Sequence, residues 1–230
     1  MIAAHVDAQR NGTHDVDGSA YAVLDRGAAY RIQTGVLASL GRSVGMLKTA
    51  IHADGVGVVA PIYRDGVGRL PGFRLPRANV VGVEVEVGLV LSRPLAAGAN
   101  EADGRSAVDH YFVGVEVCGS RYRDRSAAGP TGGLADNMSS LGYVIGSSRA
   151  AHDAIEGLTV RVEFAGRQLH SAPAKHGFGT VLASLVAYAS HQHPAYPLAM
   201  GTIITTGSMC GLLPTTGPGR GGTPGTPTAS

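Results

Sequence analysis

Residues 80–91, VVGVEVEVGLVL, alternate apolar side chains with glycine and glutamate from Val81 to Leu89. A period of two is the signature of a β-strand and of no other regular element. Successive side chains on a strand point to opposite faces, so Val83, Val85 and Val87 form one row and Glu84 and Glu86 the other. The valine row reads as core. The two carboxylates lie roughly 7 Å apart along the backbone, close enough for their side chains to converge on one ion. Gly82 and Gly88 flank them on the same face and leave room for a ligand or mark a bulge. A companion segment, VGVEVCG at 113–119, sets Val113, Val115 and Val117 against Gly114, Glu116 and Cys118. Were the two strands neighbours, three carboxylates would meet. Their mutual repulsion in a half-buried place is removed by a divalent cation. All-oxygen donors favour Mg²⁺ or Mn²⁺ over Zn²⁺. Alternation alone describes a strand with one solvated face equally well, and spacing does not establish that the strands touch.

The remaining chain supplies context. At 230 residues, 44% hydrophobic and 16% charged, it can bury the core of a single domain. A net charge of +2 with no basic block argues against nucleic acid or a membrane surface as a partner. The two cysteines, Cys118 and Cys210, make no disulfide framework, which points to a reducing cytoplasm. MIAAHVDAQRNG lacks the basic-then-apolar pattern of a secretory signal, and no apolar run is long enough to span a bilayer. The pattern predicts a loose segment over 1–18, a single domain over 19–214, and a disordered Gly/Pro/Thr-rich tail over 215–230. Within the domain, a helix is predicted from Ser19 to Leu40 with Gly41 as its stop, and strands and turns from Val44 to Tyr63. Residues 69–79 read as a loop, 93–107 as a loop with at most a turn of helix, and 121–133 as a long polar loop. A strand pair is predicted around Gly166, a helix from Gly179 to His191, and a strand entering from Gly201. Strands outnumber helices without alternating with them, so the fold class is a strand-rich α+β domain.

Six segments, in order, resemble the 2-keto-4-pentenoate hydratase and 4-oxalocrotonate decarboxylase branch of the fumarylacetoacetate hydrolase superfamily. They are AYRIQ (29–33), GMLKTA (45–50), PRANVVGVEVEVGLVLSRPL (76–95), GVEVCGSRY (114–122), LADNMSSLGYVIG (134–146) and GTIITTGSMCG (201–211). The resemblance implies a β-rich mixed-sheet roll with flanking helices, a divalent metal, 2-oxo acid substrates and a homo-oligomer. It assigns Glu84, Glu86 and Glu116 as metal ligands, Lys48 as the active-site lysine, Asp136 and Ser139 as further catalytic residues, and Asn137 to substrate binding. It also assigns Thr206 and Gly207 to the substrate carboxylate. On chemistry alone, Lys48 is equally a surface lysine, Asp136–Ser139 a polar turn or cap, and Thr206–Gly207 a strand end. The sequence departs from the pattern at PIYR (61–64), where Ile62 replaces an acidic residue, and at KHGF (175–178), where His176 is displaced by a position. The tail also stands where the family continues in strands. The resemblance implies a hydratase forming a 4-hydroxy-2-oxo acid from a 2-hydroxy-2,4-dienoate, with a vinylogous 2-oxo acid decarboxylase as the alternative. A related C–C hydrolase or tautomerase, and a non-enzymatic binding or structural member, are the further alternatives.

Overall fold

The computed structural model describes residues 1–75, 79–215 and 228–229. Its helices are α1 (Ile2–Asn11), α2 (Arg26–Ser39), α3 (Glu101–Ala107), α4 (Arg125–Ala135) and α5 (Ala183–Ala189). Its strands are β1 (Val44–Ile51), β2 (Gly57–Tyr63), β3 (Val67–Arg69), β4 (Val80–Leu91), β5 (Val108–Gly119), β6 (Ser140–Ile145), β7 (Thr159–Phe164), β8 (Arg167–Pro173), β9 (Ile203–Ser208) and β10 (Thr228–Ala229). Seven strands form a mixed sheet in the order β2-β1-β9-β4-β5-β6-β3, and β10-β7-β8 form a small second sheet. In the large sheet β1–β9 and β3–β6 are parallel and the other pairs antiparallel. Edge strand β2 also lies against β6 near the other edge, so the sheet curls into a roll.

Curling buries both faces. Outside, Val83, Val85, Val87 and Leu89 join one core with Ile32 and Val36 of α2, Leu134 of α4, Leu185 and Tyr188 of α5, and Val160 and Val162 of β7. Inside, Met46, Ile62, Phe112, Tyr143 and Ile145 form a second, smaller core. This is why β2 is buried along its entire length and reads as a continuous apolar run. The strand-rich α+β class and the mixed-sheet roll are both borne out.

Several local expectations change. Residues 2–11, expected to be loose, form α1, with His5, Val6 and Ala8 buried. The reason is tertiary: Gly35 of α2 lets Ile2 approach so closely that a Cβ there would sit 2.5 Å from its Cδ1. The helix predicted from Ser19 divides into a short 3₁₀ turn at Ser19–Tyr21 and α2, which starts where Asp25 accepts a 2.6 Å hydrogen bond from the Ala28 N–H. Gly41, at φ 64°, ends it as predicted. The polar loop expected over 121–133 contains α4, whose N-cap is Asp124 and whose two turns meet at Gly129, φ 63°. Pro130 then opens the second turn, where its missing N–H costs nothing. Asn100 and Asp103 form a reciprocal capping box that nucleates α3 in a segment expected to be mostly loop. The hairpin at Gly166 is borne out, with Ala165 and Gly166 at φ 50° and 74° matching its twist. The late helix is confined to Ala183–Ala189. Residues 216–227 and 230 of the tail, and 76–78 of the loop before β4, lie outside the described residues; Thr228–Ala229 pair with β7. Among the described residues no helix is long and apolar enough to cross a membrane.

Candidate metal centre

The two glutamate strands are neighbours. β4 and β5 pair antiparallel with Glu84 directly opposite Glu116 and Glu86 opposite Gly114. Like charges in that relation destabilise a sheet, so a cation is required. Lys48 on β1 supplies one: its Nζ lies 2.5 Å from Glu116 Oε2 and 3.5 Å from Glu84 Oε2. Between β1 and β4 runs β9, where Thr205 pairs with both Lys48 and Gly88 and its hydroxyl donates to Glu86 Oε2. Tyr143 of β6 pairs with Glu116, and its hydroxyl is 3.2 Å from Thr205 Oγ1. Its ring crosses Gly114, where a Cβ would come within 2.2 Å of it. Phe112 covers Gly88 in the same way, and the Leu213 carbonyl lies 2.5 Å from the Cβ position of Gly82. The glycines beside the glutamates therefore make room for this chain's own groups rather than for a ligand, and the other expectation, a bulge, is met: the β4 register shifts between Val80 and Gly82 and between Glu86 and Gly88.

The electrostatics are those of a buried like-charge cluster. Burial alone would lower the Lys48 pKa, but Glu116, Glu86 and Glu84 outweigh it and hold the ammonium well above its ordinary range. Burial, then the charge of Glu116, pushes Glu86 up to about 8. Glu116 is also raised, because its burial outweighs the ion pair with Lys48. Burial and Glu116 hold the Cys118 thiol well above its usual range. Glu86 Oε1 and Glu116 Oε1 are buried with no hydrogen-bond partner among the described residues. One donor atom each from Glu84, Glu116 and Cys118 lie within 4.8 Å of one another. Unpartnered buried oxygens beside converging donors are the chemistry a divalent cation satisfies, so the residues fit one. Glu86 stands beside this trio, held by Thr205, rather than within it.

The other sequence-selected residues divide. Asp136, expected to be catalytic, is engaged in a buried ion pair. It accepts from Arg121 Nε, from the Arg121 backbone N–H at 3.1 Å and from Ser120 Oγ at 3.0 Å, and lies 3.5 Å from His5 Nε2. Burial lowers the His5 pKa to about 4. Asn137, Met138 and Ser139 are consecutive left-handed residues, φ 52°, 49° and 64°, the kind of stored strain that clusters at functional loops. Ser139 Oγ accepts from Arg125 Nη2 at 3.0 Å. The next residue, Ser140, pairs with Cys118, so this loop opens at the glutamate strands. Thr206 donates to the Val87 carbonyl at 3.0 Å and lies 3.3 Å from His176 Nε2. Gly207 adopts φ 127° against Phe178 and His176. Strand alternation directs Thr205 to the glutamate face and Thr206 away from it. Sequence reasoning thus missed Thr205, Tyr143 and Cys118. Only Cys118 carried a visible signal, its place two residues after Glu116. A cavity of about 520 Å³ lies across the sheet on the valine face, lined by Val85, Val113, Val115, Val160 and Met209, and is separate from the carboxylates.

Residues 49–225 match the model of the fumarylacetoacetate (FAA) hydrolase C-terminal family. The chain belongs to this family. A 4-oxalocrotonate decarboxylase from Pseudomonas sp. is 29% identical over 129 residues, covering 55% of this chain and 49% of that protein. The matched region thus spans about half the length of that curated relative. Among solved structures, the FAA hydrolase chain is similar to 4-oxalocrotonate decarboxylase from Pseudomonas putida G7 complexed with magnesium and adipate. That match has a TM-score of 0.73 at 21% identity, covering 94% of this chain and 89% of the other. It is also similar to 2-hydroxyhepta-2,4-diene-1,7-dioate isomerase from Mycobacterium marinum, with a TM-score of 0.52 at 18% identity over 74% and 65% of the two chains. At these identities the structural likeness is one of fold.

Proposed function

We propose that this FAA hydrolase family member is a metal-dependent lyase that decarboxylates a vinylogous 2-oxo acid of the 4-oxalocrotonate type. The observation that carries this reading is the apposition of Glu84 and Glu116 around Lys48 on the same sheet face as the apolar cluster of Met46, Ile62 and Phe112. Glu84 and Glu116, with Glu86 beside them, would hold the cation, which supplies Lewis acidity toward the carboxylate and keto oxygens of the substrate. Thr205 fixes the Glu86 carboxylate, and Tyr143 braces Thr205. As the C–C bond to the distal carboxylate breaks, its electron pair moves through the conjugated chain to the 2-oxo oxygen. Lys48, held protonated by the glutamates, supplies the proton there, giving CO₂ and 2-hydroxypenta-2,4-dienoate.

Hydration is what the sequence resemblance favours, and it needs a water activated at C4. Ile62 occupies the position of the acid that could assist, and it is 1% exposed within the inner apolar cluster. An apolar wall instead favours departure of neutral CO₂ from a carboxylate, because charge disperses in that step. The relatives named as decarboxylases support this choice. The resemblance also supports a homo-oligomer, which light scattering of the purified protein tests, and the free Cys118 and Cys210 support a cytoplasmic setting. For the reaction, purified protein with Mg²⁺ or Mn²⁺ is given 2-oxohex-3-enedioate. CO₂ release with appearance of the dienol is expected, and its loss in Glu84→Gln. Consumption of 2-hydroxypenta-2,4-dienoate without any decarboxylation would replace this reading with hydration, and inertness toward both substrates would sink both.

A further inference from the structure

Cys118 follows Glu116 by two residues on β5, so strand alternation gives the thiol and the carboxylate one face. It pairs with Gly82 and lies diagonally from Glu84, and it is 2% exposed. Its Sγ is 3.5 Å from Glu84 Oε2, and the three donors of Cys118, Glu84 and Glu116 lie within 4.8 Å of one another. Donors sharing one tetrahedral cation are roughly 3.5 Å apart, given bond lengths of about 2.0–2.3 Å. A contraction of about one ångström therefore closes the set. A second observation points to a ligand at the same place: Glu116 is 0% exposed, and its Oε1 has no hydrogen-bond partner among the described residues.

We propose that Cys118 is itself a ligand of the metal centre, making it a mixed oxygen–sulfur site that takes Co²⁺ or Zn²⁺ through a metal–thiolate bond. This inference rests on the reading of the glutamates as metal ligands and departs from the all-oxygen site expected from sequence. Thiolate donors select borderline and soft cations, whereas Mg²⁺ gains nothing from sulfur. On binding, the metal–sulfur bond forms as the thiol proton passes to buffer, with no change in oxidation state.

The test is a titration of the metal-free protein with Co²⁺, followed by absorption spectroscopy. Visible ligand-field bands report binding, and a near-ultraviolet sulfur-to-cobalt charge-transfer band reports the thiolate. The expected result is both bands in the unaltered protein. Cys118→Ser should keep the ligand-field bands, lose the charge-transfer band, and weaken Co²⁺ by roughly tenfold or more while leaving Mg²⁺ affinity within about twofold. Cys210→Ser should keep both bands. Ligand-field bands without charge transfer in the unaltered protein would overturn ligation by Cys118 and leave the glutamate site standing. Charge transfer lost in Cys210→Ser but kept in Cys118→Ser would do the same. Absence of any Co²⁺ binding would overturn the glutamate reading and this one together. Should the serine variant not fold, X-ray absorption of the unaltered protein loaded with Zn²⁺ decides the matter. A sulfur scatterer at about 2.3 Å is expected, and a shell of light atoms alone would overturn the proposal.

Discussion

Asp136 illustrates how differently a residue reads alone and in place. In sequence it heads the Asp-Asn-x-Ser run and reads by resemblance as catalytic; in the fold Asp136 is 2% exposed and its carboxylate is taken up by Arg121, which is itself 1% exposed. Arg121 Nη2 also donates to the Asp136 carbonyl, and Nη1 to the Ser140 carbonyl at 3.3 Å, so the pair fastens both ends of the left-handed Asn137–Ser139 loop. Removing one partner of such a pair strands the other charge. Asp136→Asn is expected to destabilise the protein by roughly 3–5 kcal/mol in urea denaturation. An unchanged midpoint with lost turnover would instead return Asp136 to the chemistry. Ile62 teaches the converse: read as a missing acid, it is a working member of the inner apolar core, where a carboxylate would meet Met46 and Phe112.

At the scale of elements, the strands carry the information that single residues lack. The alternation of β4 and β5 predicted which side chains share a face, and Val83, Val85 and Val87 are buried as expected. Register was not legible. It is set by which glycine lies under which ring, Gly114 under Tyr143 and Gly88 under Phe112, and those pairs join segments far apart in the chain. Thr205 and Tyr143 were invisible for the same reason: each reaches the site only across a neighbouring strand. This arrangement makes a specific demand. Gly114→Ala should cost roughly 1–3 kcal/mol by forcing the Tyr143 ring aside. In combination with Tyr143→Ala the loss should fall short of the sum of the two single variants, because the clash has gone. Additive losses in a denaturation cycle would show that the ring does not depend on that glycine.

On the scale of the whole molecule, curling one sheet places an ionisable cluster inside a roll, so folding and protonation are linked. The Glu86 carboxyl rises from its ordinary value of 4.5 to about 8 in the folded state. Between those values the folded state binds more protons than the unfolded one, and stability must fall as pH rises. The metal-free protein should therefore lose roughly a few kcal/mol in urea denaturation from pH 5 to pH 8. Glu86→Gln should flatten that slope, and a divalent cation should stabilise the protein more at pH 8 than at pH 5, since it binds the deprotonated carboxylates. A slope unaffected by the substitution would place the linked group elsewhere. The sequence by itself determined the strand-rich class, the two faces of β4 and β5, the glutamates as a set, and membership of the superfamily by resemblance. Those are consequences of local periodicity and of residue order, which a linear chain records directly. Only the tertiary structure decided that α1 and α4 are helices, that Lys48 closes the gap between Glu84 and Glu116, that Asp136 belongs to Arg121, and that Cys118 stands among the donors. Each of these depends on contacts between distant segments, whose energies outweigh local propensity and exist only once the sheet has curled.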